Sequence, residues 1–191
     1  TNLKGQKGKR VVLLANLRKP KNHIQFLKAF YQSSAISKGW SLHFVGKDYQ
    51  DEYSQEIKHF IDSKKIDQNV FLYGSCIDIQ NILKQSDIGV LCSTHEGFPV
   101  TLLEYGYSKL SVLSTNVGFC NTIIENEKKG LTFSPENTKE IKEKLNRILE
   151  DENLRFQFSQ NLHDEVINNY TASAVINSYL TFLKKNIKIE K

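Results

Sequence analysis

Two glutamates stand eight positions apart in the run Ser93-Thr94-His95-Glu96-Gly97-Phe98-Pro99-Val100-Thr101-Leu102-Leu103-Glu104. A Gly-Phe-Pro step follows the first. A helical pattern then begins, with Pro at or near its first turn, where a missing N–H costs nothing. The first amides of a helix lack internal partners and carry partial positive charge, so those that open this helix can cradle a phosphate. Gly97 is expected to give a tight backbone and close ligand approach. Glu104 falls roughly 8 Å into the helix, at about 1.5 Å per residue, while Glu96 precedes it. A carboxylate on each side of an anion site suits a ligand with hydroxyls on both sides of a diphosphate. A nucleotide sugar has that order: sugar, diphosphate, ribose, base.

Arg18 and Lys21 belong to a basic stretch that opens the chain. Ten of the 26 basic residues precede the first acid, Asp48, although the net charge of the 191-residue chain is only +5. Such asymmetry points to an anionic ligand or surface near the N-terminal part. Cys76, Cys92 and Cys120 are odd in number and widely spaced, which excludes a disulfide framework and a CxxC zinc site. Cys92 reads as a small buried residue at a strand end. His23, His43, His59 and His163 show no ligand spacing, and His95 reads as a polar loop residue. No metal site is expected.

The elements that must position these residues alternate strand and helix. Val11–Leu17, Leu42–Gly46, Val70–Gly74, Ile88–Cys92, Val112–Thr115 and Leu131–Phe133 read as strands. Helices are expected over Lys21–Lys38, Asp51–Lys65, Ile77–Lys84 and Pro99–Tyr107. Asn137 and Glu140 resemble a capping box, and two further helices follow at about 152–168 and 171–187, the last opening on Thr171. The near-unbroken apolar run Ile88–Cys92 suits a central parallel strand. The whole predicts an α/β, Rossmann-like, doubly wound parallel sheet of about six strands with additional C-terminal helices. Ligands then bind beyond the carboxyl ends of the strands. Residues 1–10 read as a basic tail or interdomain linker remnant, 11–170 as the binding domain, and 171–191 as a helix packing back towards a further domain.

Glu96-x7-Glu104, in the setting EGFPVTLLE, resembles the E-x7-E motif of retaining GT-B glycosyltransferases of the family 4 type. The flanking segments fall in the same order. Leu14 to Asn22 resembles the first strand and its diphosphate-binding loop. Phe44-Val-Gly46 resembles the second strand and Gly turn. Val70 to Gly74 leads to the loop facing the nucleobase, and Asp87 to Ser93 leads into the motif. Thr115 to Gly118 and Gly130 to Phe133 resemble the later loop and strand. The resemblance implies the donor-binding half of a two-domain enzyme. It implies Glu96 on donor-sugar hydroxyls, Glu104 on the ribose, and Arg18 and Lys21 on the diphosphate. It implies Gly97, Phe98, Pro99, Val100 and Thr101 at the sugar and distal phosphate, and Gly46, Gly74 and Ser75 along the nucleotide. The usual family Arg position holds Asn16, with Arg18 two residues on. The paired Gly and downstream Glu of the family are Gly118, Phe119 and Thr122.

The implied reaction is retaining glycosyl transfer from a nucleotide sugar, with no metal or other cofactor. A nucleotide-sugar 2-epimerase shares the architecture but lacks the EGF-P-E pattern, and a non-catalytic nucleotide-binding module is the other alternative. A nucleic-acid partner is not expected, since no aromatic-rich basic stripe or helix-turn-helix is present. No apolar run approaches the roughly 18 residues of a membrane span. The expected location is cytoplasmic, with possible peripheral contact at the inner membrane face. A chain that begins at Thr1 and lacks Met is expected to be a piece of a longer protein whose other domain binds the acceptor.

Overall fold

Six strands among the described residues carry the apolar runs of the sequence: β1 (Arg10–Leu14), β2 (Ser41–Val45), β3 (Val70–Leu72), β4 (Ile88–Leu91), β5 (Ser111–Thr115) and β6 (Leu131–Phe133). Among the described residues eight α-helices follow or separate them: α1 (His23–Gln32), α2 (Glu52–Lys64), α3 (Ile79–Lys84), α4 (Val100–Tyr107), α5 (Cys120–Ile124), α6 (Thr138–Glu150), α7 (Glu152–Asn169) and α8 (Ala172–Asn186). The computed structural model describes residues 1–186.

Every strand pair is parallel, in the order β3-β2-β1-β4-β5-β6. The order reverses between β1 and β4, which makes that gap the switch point where ligands bind such sheets. Alternate residues feed two cores. Val11, Leu13, Phe44, Val90, Leu113 and Phe133 face α1, α2 and α6. Val12, Val45, Leu91 and Val112 face α3, α4, α5 and α7.

The doubly wound sheet matches the sequence expectation, with local differences. β1 ends at Leu14, not Leu17. Its bonding to the β2 side nevertheless continues, with Ala15 N–H donating to Val45 O at 2.9 Å and Leu17 N–H to Lys47 O at 2.9 Å. α1 stops at Gln32 because the Ser33 backbone turns extended and its hydroxyl takes the Phe30 carbonyl, a competitor to helix bonding. α3 begins two residues late and leaves Ile77 exposed. α5 has no counterpart in the sequence pattern, since five residues show too little periodicity. The Asn137 carboxamide caps α6 by accepting from Glu140 N–H at 3.1 Å, but the Glu140 carboxylate reaches Ser134 N–H rather than closing the box. Thr171 Oγ1 accepts from Ala174 N–H at 3.3 Å and opens α8. Ile187, expected at the end of that helix, lies outside the described residues.

Residues 1–9 form no element, yet they are fastened to the body. Leu3 is buried in the α3 side of the core. Lys4 N–H donates to Tyr73 Oη at 2.9 Å and Leu3 N–H to Gln85 Oε1 at 3.1 Å. α8 is the opposite case. It packs on α7 but has no buried residue, and Val175, Ile176, Tyr179, Leu180 and Phe182 are exposed.

Candidate functional site: a carboxyl-end cleft between β1, β2 and α4

The loop after β1 and the loop after β4 are zipped together. Thr94 N–H donates to Pro20 O at 2.9 Å. The Cys92 thiol, buried at the end of its strand, donates to Lys21 O at 3.0 Å. Burial pushes that thiol's pKa well up, which keeps it a hydrogen-bond donor rather than a thiolate. These bonds follow a short helical turn over Lys19–Lys21 with Pro20 inside it, and Asn22 in a left-handed conformation. Lys21 is thereby carried to Glu96, 75 residues away in sequence, and Nζ donates to Oε1 at 2.7 Å. Only 13% of the Glu96 side chain is exposed, against 35% for Lys21, so solvent screens the pair incompletely.

Arg18 goes elsewhere. Its guanidinium lies 4.6 Å over the Tyr49 ring and donates to Tyr49 Oη at 2.8 Å. Lys47 Nζ stands 4.9 Å from the same ring. The structure therefore brings Lys21 to Glu96 but sets Arg18 on the β2 loop. Sequence reasoning misses Tyr49, because nothing local marks a tyrosine that two distant cations will share.

A second glycine, not Gly97, holds the Glu96 backbone. Gly97 has no positive φ, and a Cβ there would meet nothing within 4 Å, so the chain path does not require glycine at that position. Gly118 has φ +54°, and its Cβ would fall 1.8 Å from Glu96 O. Phe119 N–H donates to Gly97 O at 3.2 Å, closing the β5 loop over the β4 loop. The Phe98 and Phe119 rings meet at 5.5 Å, and Tyr170 stands 6.0 Å from Phe98. Both phenylalanines stay exposed beside Glu96.

At the start of α4 the expected cradle is narrower than Phe98 to Thr101. Pro99 has no N–H and sits at the N-cap. Val100 N–H donates to Phe98 O at 3.1 Å. The amides of Phe98 and Thr101 have no partner among the described residues and are the ones available to an anion.

A cleft of about 340 Å³ opens beside this helix, lined by Leu14, Ala15, Asn16, Gly46, Ser75 and Glu104, among others. Its size lies within the range of small-molecule sites. Gly46 brings the β2 loop against the β1 loop there. With φ +154° and a Cβ position 2.2 Å from Ala15 O, no other residue fits there. Gly46 N–H donates to Gly74 O at 2.9 Å, and Gly74 turns at φ +66° to bring Ser75 to the rim. Asn16 Oδ1 accepts from Lys47 N–H at 2.8 Å, tying the β1 and β2 loops. Glu104 projects from α4 over the cleft. Partial burial against α4's surroundings holds its carboxyl pKa above the ordinary value. His95 is exposed, with Nδ1 3.0 Å from Thr94 Oγ1.

Residues 1–164 match the family model of glycosyl transferases group 1. The chain belongs to that family. A curated relative in Campylobacter jejuni, an N,N'-diacetylbacillosaminyl-diphospho-undecaprenol alpha-1,3-N-acetylgalactosaminyltransferase, is 31% identical over 163 residues. That match covers 85% of this chain and 42% of the relative, so the chain spans under half the relative's length. The C-terminal domain of the group 1 glycosyl transferase LpcC of Francisella tularensis superposes with a TM-score of 0.79 at 24% identity, covering 86% of this chain and 87% of that one. Anabaena HepE, solved with UDP and glucose, superposes with a TM-score of 0.82 at 17% identity, covering 92% of this chain and 48% of that one. The group 1 fold is thus the GT-B domain type expected from the sequence.

Proposed function

We propose that this group 1 chain is the donor-binding domain of a retaining glycosyltransferase of the family 4 type. Its ligand is a nucleoside diphosphate sugar lying along the carboxyl ends of β1, β2, β4 and β5. The observation that carries this reading is the meeting of Lys21 with Glu96 at 2.7 Å at the entrance to α4, beside a cleft with Glu104 on its rim. Glu104 accepts from the ribose hydroxyls. The free amides of Phe98 and Thr101, with Lys21, receive the phosphates. Glu96 accepts from hydroxyls of the sugar, and a phosphate entering between it and Lys21 replaces their ion pair. Ser75 and Gly74 border the base. Arg18 and Lys47, gathered on Tyr49, add positive potential at the same rim.

In the proposed reaction the anomeric carbon–oxygen bond to the diphosphate breaks and a bond to the acceptor oxygen forms on the same face. The leaving phosphate oxygen takes the acceptor's proton. The protein's part is to stabilise charge on the departing diphosphate with fixed donors, and the reading assigns no role to a metal. The acceptor belongs to the portion of the relatives' length this chain does not span. The lipid-diphosphate named in the Campylobacter relative favours bacterial glycolipid or polysaccharide synthesis at the cytoplasmic membrane face. Among the described residues no helix is long and apolar enough to cross a membrane.

Calorimetry of this chain with UDP, GDP and ADP is the test. The expected result is weak binding, strongest for UDP, with little or no transfer by the chain alone. Absence of binding to all three at millimolar concentration sinks the reading. Inversion at C2 of a UDP-sugar would favour an epimerase instead.

A further inference from the structure

β1 is hydrogen-bonded to β2 as far as Leu14↔Val45, but to β4 only as far as Leu13↔Val90. Beyond that pair the two strands part, because their loops lead to helices on opposite faces of the sheet. A parting of this kind leaves Leu14 N–H and Val90 C=O without rungs in a dry interior, where each orphan is costly. The Tyr105 hydroxyl fills the gap. It accepts from Leu14 N–H at 2.9 Å and donates to Val90 O at 3.0 Å. Tyr105 is fully buried, reaching from α4 across the face of β4. Its ring lies on Gly89, where a Cβ would stand 2.5 Å from the ring carbons, so the central strand holds glycine where the ring crosses.

Leu14, Ala15 and Asn16 line the 340 Å³ cleft together with Glu104, the neighbour of Tyr105 on α4. We infer that Tyr105 is a positioning residue: its hydroxyl, bonded to Leu14 N–H and Val90 O over Gly89, fixes the spacing between the β1 loop and Glu104, and so sets nucleotide affinity. This rests on the nucleotide-binding reading above. The hydroxyl itself touches no ligand.

Tyr105→Phe keeps the ring and removes the rung. The expected result is roughly tenfold weaker UDP binding by calorimetry, with unchanged far-UV circular dichroism and faster hydrogen exchange at the Leu14 amide. Ile148→Val and Leu145→Ala, on the far side of the sheet, bracket the loss of Tm and are expected to leave UDP affinity unchanged. Gly89→Ala keeps the hydroxyl but displaces the ring beneath it, and is expected to weaken UDP binding as Tyr105→Phe does. UDP affinity equal to wild type in Tyr105→Phe overturns the inference, as does a loss matched by a far-side variant of equal Tm. A wild-type chain that binds no UDP overturns the nucleotide reading and this role with it. The two failures are told apart by the wild-type titration.

Discussion

Glu96 and Glu104 are both carboxylates of one loop-helix unit, yet their surroundings give them different work. Glu96 is largely buried and already holds a cation, whereas Glu104 overhangs an open cleft and has no hydrogen-bond partner among the described residues. Glu104→Ala should weaken UDP binding by about tenfold or more, the scale of a hydrogen bond to a charged group. Its raised pKa gives a sign for pH. The ionised carboxylate is the stronger acceptor for ribose hydroxyls, so UDP affinity falls as pH drops through that raised value, and the fall should be shallower in Glu104→Gln than in wild type. Titrations at pH 7 and pH 5 check both. Glu96→Ala should instead reduce the preference for a UDP-sugar over UDP while leaving UDP affinity nearly intact. Affinities unchanged from wild type for both ligands in both variants would defeat the assignment.

At the scale of elements the site is made by close backbone approaches between loops. Gly118 under the Glu96 carbonyl and Gly46 against Ala15 let four loops meet in pairs at distances no side chain allows. Gly118→Ala combines a left-handed φ with direct overlap, so it should cost more than the roughly 1 kcal/mol of the φ alone. A fall in Tm of several degrees with weaker UDP binding is expected. Gly97→Ala is the contrast. Its Cβ enters open space at an ordinary φ, so stability should change by less than about 0.5 kcal/mol. Thermal unfolding of the two variants side by side decides the matter. In the sequence Gly97 is the notable glycine because it sits inside the motif. Gly118 acts across two loops, and such contacts leave no local mark.

For the whole molecule, two buried histidines link stability to pH. His23 Nε2 lies 3.2 Å from Ala15 O, and His43 stands between Ser41 Oγ and Tyr73 Oη. Burial lowers both pKa values from 6.5 to about 4. Between those limits the unfolded chain takes up protons that the folded chain refuses. Stability is therefore whole above about pH 6.5 and falls as pH drops towards 4, by on the order of 3 kcal/mol for each ring. Urea unfolding at pH 7 and pH 4.5 should show the loss, and His23→Gln should remove about one proton from the slope. The basic N-terminal third is also divided by the fold. Arg10 donates to Leu3 O and Gly5 O beside the amino end of its strand, while Arg18, Lys19, Lys21 and Lys47 sit on loops at the carboxyl end. Only the second group stands at the end of the sheet where the cleft opens.

The alternation of strands and helices is legible in the chain alone, because apolar periodicity is written locally. So is the place of the acid-flanked loop before α4, because Gly, Pro and the apolar run mark a strand-to-helix turn. Which cation meets Glu96 is not. Arg18 and Lys21 lie three residues apart on one loop, and only the bonds from Thr94 and Cys92 to that loop send Lys21 inward and Arg18 to Tyr49. The strand order is likewise decided by the folded chain. The reversal between β1 and β4, with Tyr105 spanning it, arises from packing helices on both faces of one twisted sheet. That is a property of all six strands together, and no window of the chain contains it.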